Sequence, residues 1–187
     1  MNNQYILIKG KKDIFSPELN AFFKGLLGNN IEIIQNEGIT ILHSYNNKED
    51  IKDALLGLVE EYEGQISAYI SRIDFNEDNL SIISKYFFKS LLHKNLYDEH
   101  ELLMELVLNG ERLDLDKIVL GSFVNDLSMI QTIKAFLEND MNTSKTAQAI
   151  YMHRNTLINK LDRFIAVSGY DIKKFGDAFI IYHLIKK

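Results

Sequence analysis

The stretch Asn142-Thr143-Ser144-Lys145-Thr146-Ala147-Gln148-Ala149-Ile150-Tyr151-Met152-His153-Arg154-Asn155-Thr156-Leu157-Ile158-Asn159-Lys160-Leu161-Asp162-Arg163-Phe164-Ile165-Ala166-Val167-Ser168-Gly169 decides the fold of the carboxy-terminal third. Asn142, Thr143 and Ser144 are cap-type residues ahead of a short helix ending near Tyr151. Met152–Thr156 then makes a tight turn into a second helix, which Gly169 closes. Helical spacing divides that second helix into two faces: Leu157, Leu161, Phe164, Ile165 and Ser168 on one, Thr156, Asn159, Lys160 and Arg163 on the other. The first face suits packing against Ala147, Ile150 and a preceding helix; the second is polar and holds no acid. Two short helices, a small residue where they cross and a polar outer face make the layout of a helix-turn-helix.

Duplex DNA is the partner such a face fits. A helix bearing donors for phosphates and base edges can enter a major groove about 12 Å wide. Arg154 and Asn155 lie at the amino end of the second helix, where base-reading side chains usually stand, and the backbone amides there favour a phosphate. The DNA-contacting set expected from the layout is Thr143, Ser144, Lys145, His153, Arg154, Asn155, Thr156, Asn159, Lys160 and Arg163, with His153 acting first as a helix cap. Outward from the motif, Met129, Ile130, Ile133, Phe136 and Leu137 after Ser128 predict a supporting helix that ends near Asn139-Asp140.

Asn142–Gly169 followed by Asp177-Ala178-Phe179-Ile180-Ile181-Tyr182 resembles the carboxy-terminal helix-turn-helix of the PucR/CdaR transcription regulators, itself similar to the Fis-like DNA-binding domain. The resemblance rests on Ser144-Lys145-Thr146-Ala147, on His153-Arg154-Asn155-Thr156-Leu157 and on Gly169, within about 60 residues. It implies that Arg154 and Thr156 hold phosphates or base edges and that Lys160 binds the backbone. The chain departs from the family at Ile158 and Asn159, where the family commonly has an arginine and a second basic or aromatic residue. One cation is thereby lost, and an isoleucine could instead meet a thymine methyl.

The first 95 residues alternate strand and helix signals. Tyr5–Lys9 is strand-like; Ser16-Pro17-Glu18 opens a helix carrying Leu19, Phe22, Phe23, Leu26 and Leu27, and Gly28 stops it. Ile31–Ile34 and Ile39–Tyr45 flank a hairpin connection at Gln35-Asn36-Glu37-Gly38. Asn47 caps a helix to about Tyr62, Gly64 ends it, Gln65–Ile73 alternates as a strand, and Asn79–His93 is helical. The order β-α-β-β-α-β is the split arrangement of a ferredoxin-like module. From about Tyr97 onward no strand is expected; Leu102, Leu103, Leu106 and Val107 form a helix ended by Asn109-Gly110, and Glu111–Asp126 reads as a short connection. The fold class is α+β: a ferredoxin-like module at 1–95, a helical connector at 96–127 and an all-α helix-turn-helix domain at 128–187.

The amino-terminal module resembles the degenerate nucleotide-cyclase-like (GGDEF-like) domain that precedes the helix-turn-helix in this family. An active cyclase gathers its triphosphate on two metal ions held by carboxylates after the first strand and in the central hairpin. Gly10-Lys11-Lys12 and Gln35-Asn36-Glu37-Gly38 stand there instead, and Asp13 with Glu37 do not make such a site. His93, Asp98, Glu99, His100 and Glu101 are potential metal ligands whose spacing does not force them to converge; a solvated acidic stretch is the preferred reading. No catalytic residue, metal or cofactor is expected, and no enzyme.

Composition agrees with that picture. Apolar residues at 46% and charged residues at 25% are those of a soluble globular protein, and the absence of cysteine excludes disulfides and a thiol nucleophile. Neither a signal peptide nor a membrane-spanning run is legible, so a cytoplasmic location is expected. The net charge of -5 hides an asymmetry: residues 1–127 hold 12 Lys+Arg against 21 Asp+Glu, a balance of -9, whereas residues 128–187 hold 9 against 5, a balance of +4. Positive excess on the carboxy-terminal part suits a polyanionic partner. The expected protein is a DNA-binding transcription regulator, a homodimer whose two heads read half-sites roughly 34–36 Å apart. Its first module would dimerise or sense an unidentified small-molecule effector. The alternative is a regulatory or interaction protein whose helix-turn-helix is vestigial.

Overall fold

The computed structural model describes residues 3–10, 17–28, 31–35, 38–44, 48–73, 75–90 and 92–186, and the chain divides into two compact units, Met1–Glu105 and Leu106–Lys187. Ser16 and Asn47, expected as helix caps, lie outside the described residues, as do Lys11, Lys12, Asp13, Asn36 and Glu37.

In the first unit β1 (Asn3–Gly10), α1 (Pro17–Leu27), β2 (Ile31–Gln35), β3 (Ile39–Ser44), α2 (Lys48–Glu61), β4 (Ile66–Ile70), α3 (Glu77–Lys89) and β5 (Leu96–Tyr97) follow in turn. The strands form a mixed sheet in the order β2-β3-β1-β4-β5. β1 lies between β3 and β4, antiparallel to both, with Ile6 opposite Ile70 and Ile8 opposite Ala68. Strand side chains alternate between faces. Ile6, Ile8, Ile66, Ala68 and Ile70 accordingly share one core with Leu19 and Phe23 of α1 and with Ile51, Leu55, Leu58 and Val59 of α2. On the other face the Tyr69 ring meets Phe87 of α3, their centroids 6.1 Å apart. Both faces of β1 are thus covered, which accounts for its unbroken apolar run Tyr5-Ile6-Leu7-Ile8. β5 goes beyond the sequence expectation: two residues pair parallel to β4, Ala68 with Leu96 and Tyr69 with Tyr97. A two-residue strand is too short to show alternation.

α4 (Glu99–Leu108) starts just after β5. Within the first unit, Glu105 anchors the segment ahead of it: its Oε2 accepts from the Tyr97 hydroxyl at 2.5 Å and its Oε1 from the His93 backbone N–H at 2.9 Å, with His93 Nδ1 also at 2.9 Å. Burial, then the bond to Glu105, pushes the Tyr97 phenol up to about 12. Burial alone would raise the Glu105 carboxyl, but hydrogen bonds from Tyr97 and His93 outweigh it and hold the group below its usual range. A carboxyl lowered on folding stabilises the protein above its unfolded-state pKa and loses that contribution as pH falls through the folded one. Glu105→Gln, which keeps a carbonyl acceptor, should therefore cost about 1 kcal/mol at neutral pH. Urea unfolding at two pH values checks this: the gap to wild type should close below about pH 4, and no gap at neutral pH would remove the anchor.

The second unit is helical. α5 (Leu115–Leu120) and a 3-10 turn (Gly121–Phe123) precede α6 (Leu127–Glu138), α7 (Thr143–Ala149), α8 (Arg154–Ser168) and α9 (Phe175–Ile185). The stretch read as a short connection is therefore part of a core: Leu115, Ile118, Val119, Leu120 and Phe123 are all buried. Six residues span under two turns, too few for helical periodicity to declare itself. Asp126 caps α6, its Oδ1 accepting from Met129 N at 2.9 Å. After α8, Gly169 adopts φ 79°, the left-handed conformation that lets its N–H close on Ile165 O at 2.9 Å. The chain then buries Tyr170 and Ile172, and the buried Asp177 of α9 fixes this turn by accepting from Asp171 N at 2.7 Å.

Candidate nucleic-acid interface

α6, α7 and α8 pack on one another. α7 begins where Asn142 Oδ1 accepts from both Ser144 N and Lys145 N at 3.0 Å, so Asn142 is the cap. Thr146 and Ala147 turn inward and are buried. α8 begins where His153 Nδ1 accepts from Asn155 N at 3.3 Å, the capping role expected of that histidine. An imidazole accepting through Nδ1 carries its proton on Nε2, so exposed His153 presents that N–H as a donor.

The inner face of α8 consists of Leu157, Leu161, Phe164 and Ser168, all buried, with Ile165 half-buried. The Phe164 ring stands 5.6 Å from that of Phe123, tilted 45°. This packing leaves Thr156, Asn159 and Arg163 exposed, as the division of faces predicts, and Arg154 and Asn155 with them; Lys160, expected on the same outer face, is half-buried.

The candidate cations are not equally available. Arg154, first residue of α8, has no ion-pair partner among the described residues. Lys145 is held by Asp140 at 2.8 Å, and the hydrogen bond keeps that exposed carboxyl below its usual range. Lys160 is half-buried and its Nζ donates to Ser128 Oγ at 2.9 Å. Arg163 lies over the Phe123 ring, 5.7 Å from its centroid. Asp162, also exposed, pairs with Lys173 at 2.9 Å. Ile158 is half-buried, which limits what it can offer to a thymine methyl.

An open concavity at α7 and the start of α8 is lined by Ser144, Gln148, Tyr151, His153 and Arg154, with Ala147 and Met152. Gln148 and Tyr151 were not among the residues expected at the interface. Tyr151 is 99% exposed. Its only sequence signal is its place two residues ahead of His153-Arg154-Asn155.

The other constellation is taken up by ion pairs. Glu105 engages His93, Asp98 meets Lys52 at 3.5 Å, Glu99 meets Arg72 at 3.5 Å and Glu101 meets Lys94 at 2.8 Å. Among the described residues no cluster of three or more histidines and carboxylates could hold a metal ion, and no helix is long and apolar enough to cross a membrane.

Residues 129–186 match the family model described as the PucR C-terminal helix-turn-helix domain. The chain is 30% identical over 110 residues to the uncharacterized protein YxkF of Bacillus subtilis, a match covering 59% of this chain and 35% of that protein. It is 24% identical over 193 residues to the purine catabolism regulatory protein of Bacillus subtilis, covering 89% of this chain and 34% of that one. The chain thus spans about a third of the length of these curated relatives. The crystal structure of a regulator of polyketide synthase expression from Bifidobacterium adolescentis shares the fold, with a TM-score of 0.54 at 19% identity, over 98% of this chain and 79% of that one.

Proposed function

The chain carries a PucR-type carboxy-terminal helix-turn-helix domain over residues 129–186, and on that premise we propose that it regulates transcription by docking α8 in the major groove of duplex DNA. The observation that carries this reading is the exposed row Arg154, Asn155, Thr156 and Asn159 on a helix whose opposite face buries Leu157, Leu161, Phe164 and Ser168. The row holds donors and acceptors suited to base edges and phosphates, and Arg154, without an ion-pair partner among the described residues, stands at the helix's amino end. Thr143, Ser144, Lys145 and His153 flank it as backbone contacts, with Lys160 and Arg163 further along α8.

We read the second unit as the DNA-binding head and the first as a ferredoxin-like module of the degenerate nucleotide-cyclase kind, which dimerises or senses. The strand order β2-β3-β1-β4, with α1 and α2 on one face, supports this. An effector would fit the small cleft at the carboxyl ends of β4 and β5, about 160 Å³, lined by Lys52, Ser71, Arg72, Asp98 and Glu99. A homodimer would present two heads to a pseudo-palindrome.

Fluorescence anisotropy of a labelled random-sequence duplex, titrated with the full chain over a series of salt concentrations, tests the reading. Log affinity should fall linearly with log salt, by about 0.9 per phosphate neutralised. No binding even at low ionic strength would overturn it and leave the helix-turn-helix as a vestigial interaction module.

A further inference from the structure

Tyr151 occupies the turn between α7 and α8 in the left-handed conformation, φ 52°, which costs any residue bearing a Cβ. The surrounding hydrogen bonds explain why the turn needs that conformation. Tyr151 N donates to Gln148 O at 3.3 Å and Met152 N to Ala147 O at 2.8 Å, the pair of bonds that closes a helix where glycine is the usual occupant. Among the described residues nothing compensates a tyrosine here, because the residue is 99% exposed and packs on no core. Tyr151 does line the same open concavity as Ser144, Gln148 and Arg154.

We propose that Tyr151 is a neutral contact to the DNA backbone, its ring lying on a deoxyribose and its hydroxyl donating to a phosphate oxygen. The proposal rests on the DNA-binding reading above and adds a residue to that surface. A phenol at the edge of a helix-turn-helix can reach the strand bordering the groove while α8 occupies the groove itself. Being uncharged, it strengthens binding without displacing a counterion and without regard to sequence.

Anisotropy of the labelled random-sequence duplex and thermal unfolding, both on the full chain, test this together. Tyr151→Gly should relieve the left-handed turn and raise the melting temperature by roughly 2–4 °C, yet weaken binding about tenfold with the salt slope unchanged. Tyr151→Phe should keep the ring contact, leave the melting temperature alone and weaken binding about threefold. Tyr151→Gly binding within about twofold of wild type would overturn the proposal, and so would a loss of binding accompanied by a lower melting temperature, which marks a structural role. A wild-type chain that binds no duplex would instead remove the DNA-binding reading on which the proposal stands.

Discussion

Phe164→Ala should destabilise the carboxy-terminal unit by about 3–5 kcal/mol, the largest single loss expected anywhere on α8. The ring is fully buried on the inner face of α8, between Leu161 and Ser168 in the helical repeat and against Phe123 across the core. Truncation removes its burial and opens a cavity that a 3-10 turn and three packed helices cannot easily collapse. Arg163→Ala is the matched control, because it takes away only the exposed guanidinium over Phe123, worth about 0.5–1 kcal/mol. Urea denaturation followed by circular dichroism separates the two. A Phe164→Ala loss no larger than that of the control would mean that α8 does not pack as described.

Arg154→Ala should leave stability unchanged and reduce duplex affinity by about 1–3 kcal/mol, roughly fivefold to 150-fold. Exposure at the first position of α8 and the lack of an ion-pair partner among the described residues put it ahead of the other cations. Lys145 and Lys160 must first release Asp140 and Ser128, so their alanine variants should lose less. Binding of the variant to a panel of duplexes tells two roles apart. A uniform loss with a salt slope lower by about one marks a phosphate contact, and a loss confined to some sequences marks a base edge. Affinity equal to wild type across the panel would strike Arg154 from the interface.

How far the sequence reveals this molecule depends on length and on residue type. α8 is legible because fifteen residues carry four turns of periodicity, and because Gly169 ends them with a backbone conformation that its lack of a side chain announces. The His153 cap is legible for the same reason, a polar acceptor standing where the apolar rhythm begins. β5 and α5 are not, since two and six residues give neither period room to appear. The left-handed turn at Tyr151 is hidden for another reason: a residue type that rarely adopts that conformation gives no hint of it. Nor can spacing reveal that Lys160 is tied to Ser128, because residues 32 positions apart meet only through the packing of α6 on α8.

Asp140 and Met141, two successive residues with φ 60° and 56°, leave no slack between α6 and α7. Two backbone bonds across the joint, from Met141 N to Phe136 O and from Asn142 N to Asn139 O, fix its number of residues as well as its path. An insertion there would break both bonds or swing the Asn142 cap away from the start of α7. Indels in descendants of this gene should therefore be purged from 139–142.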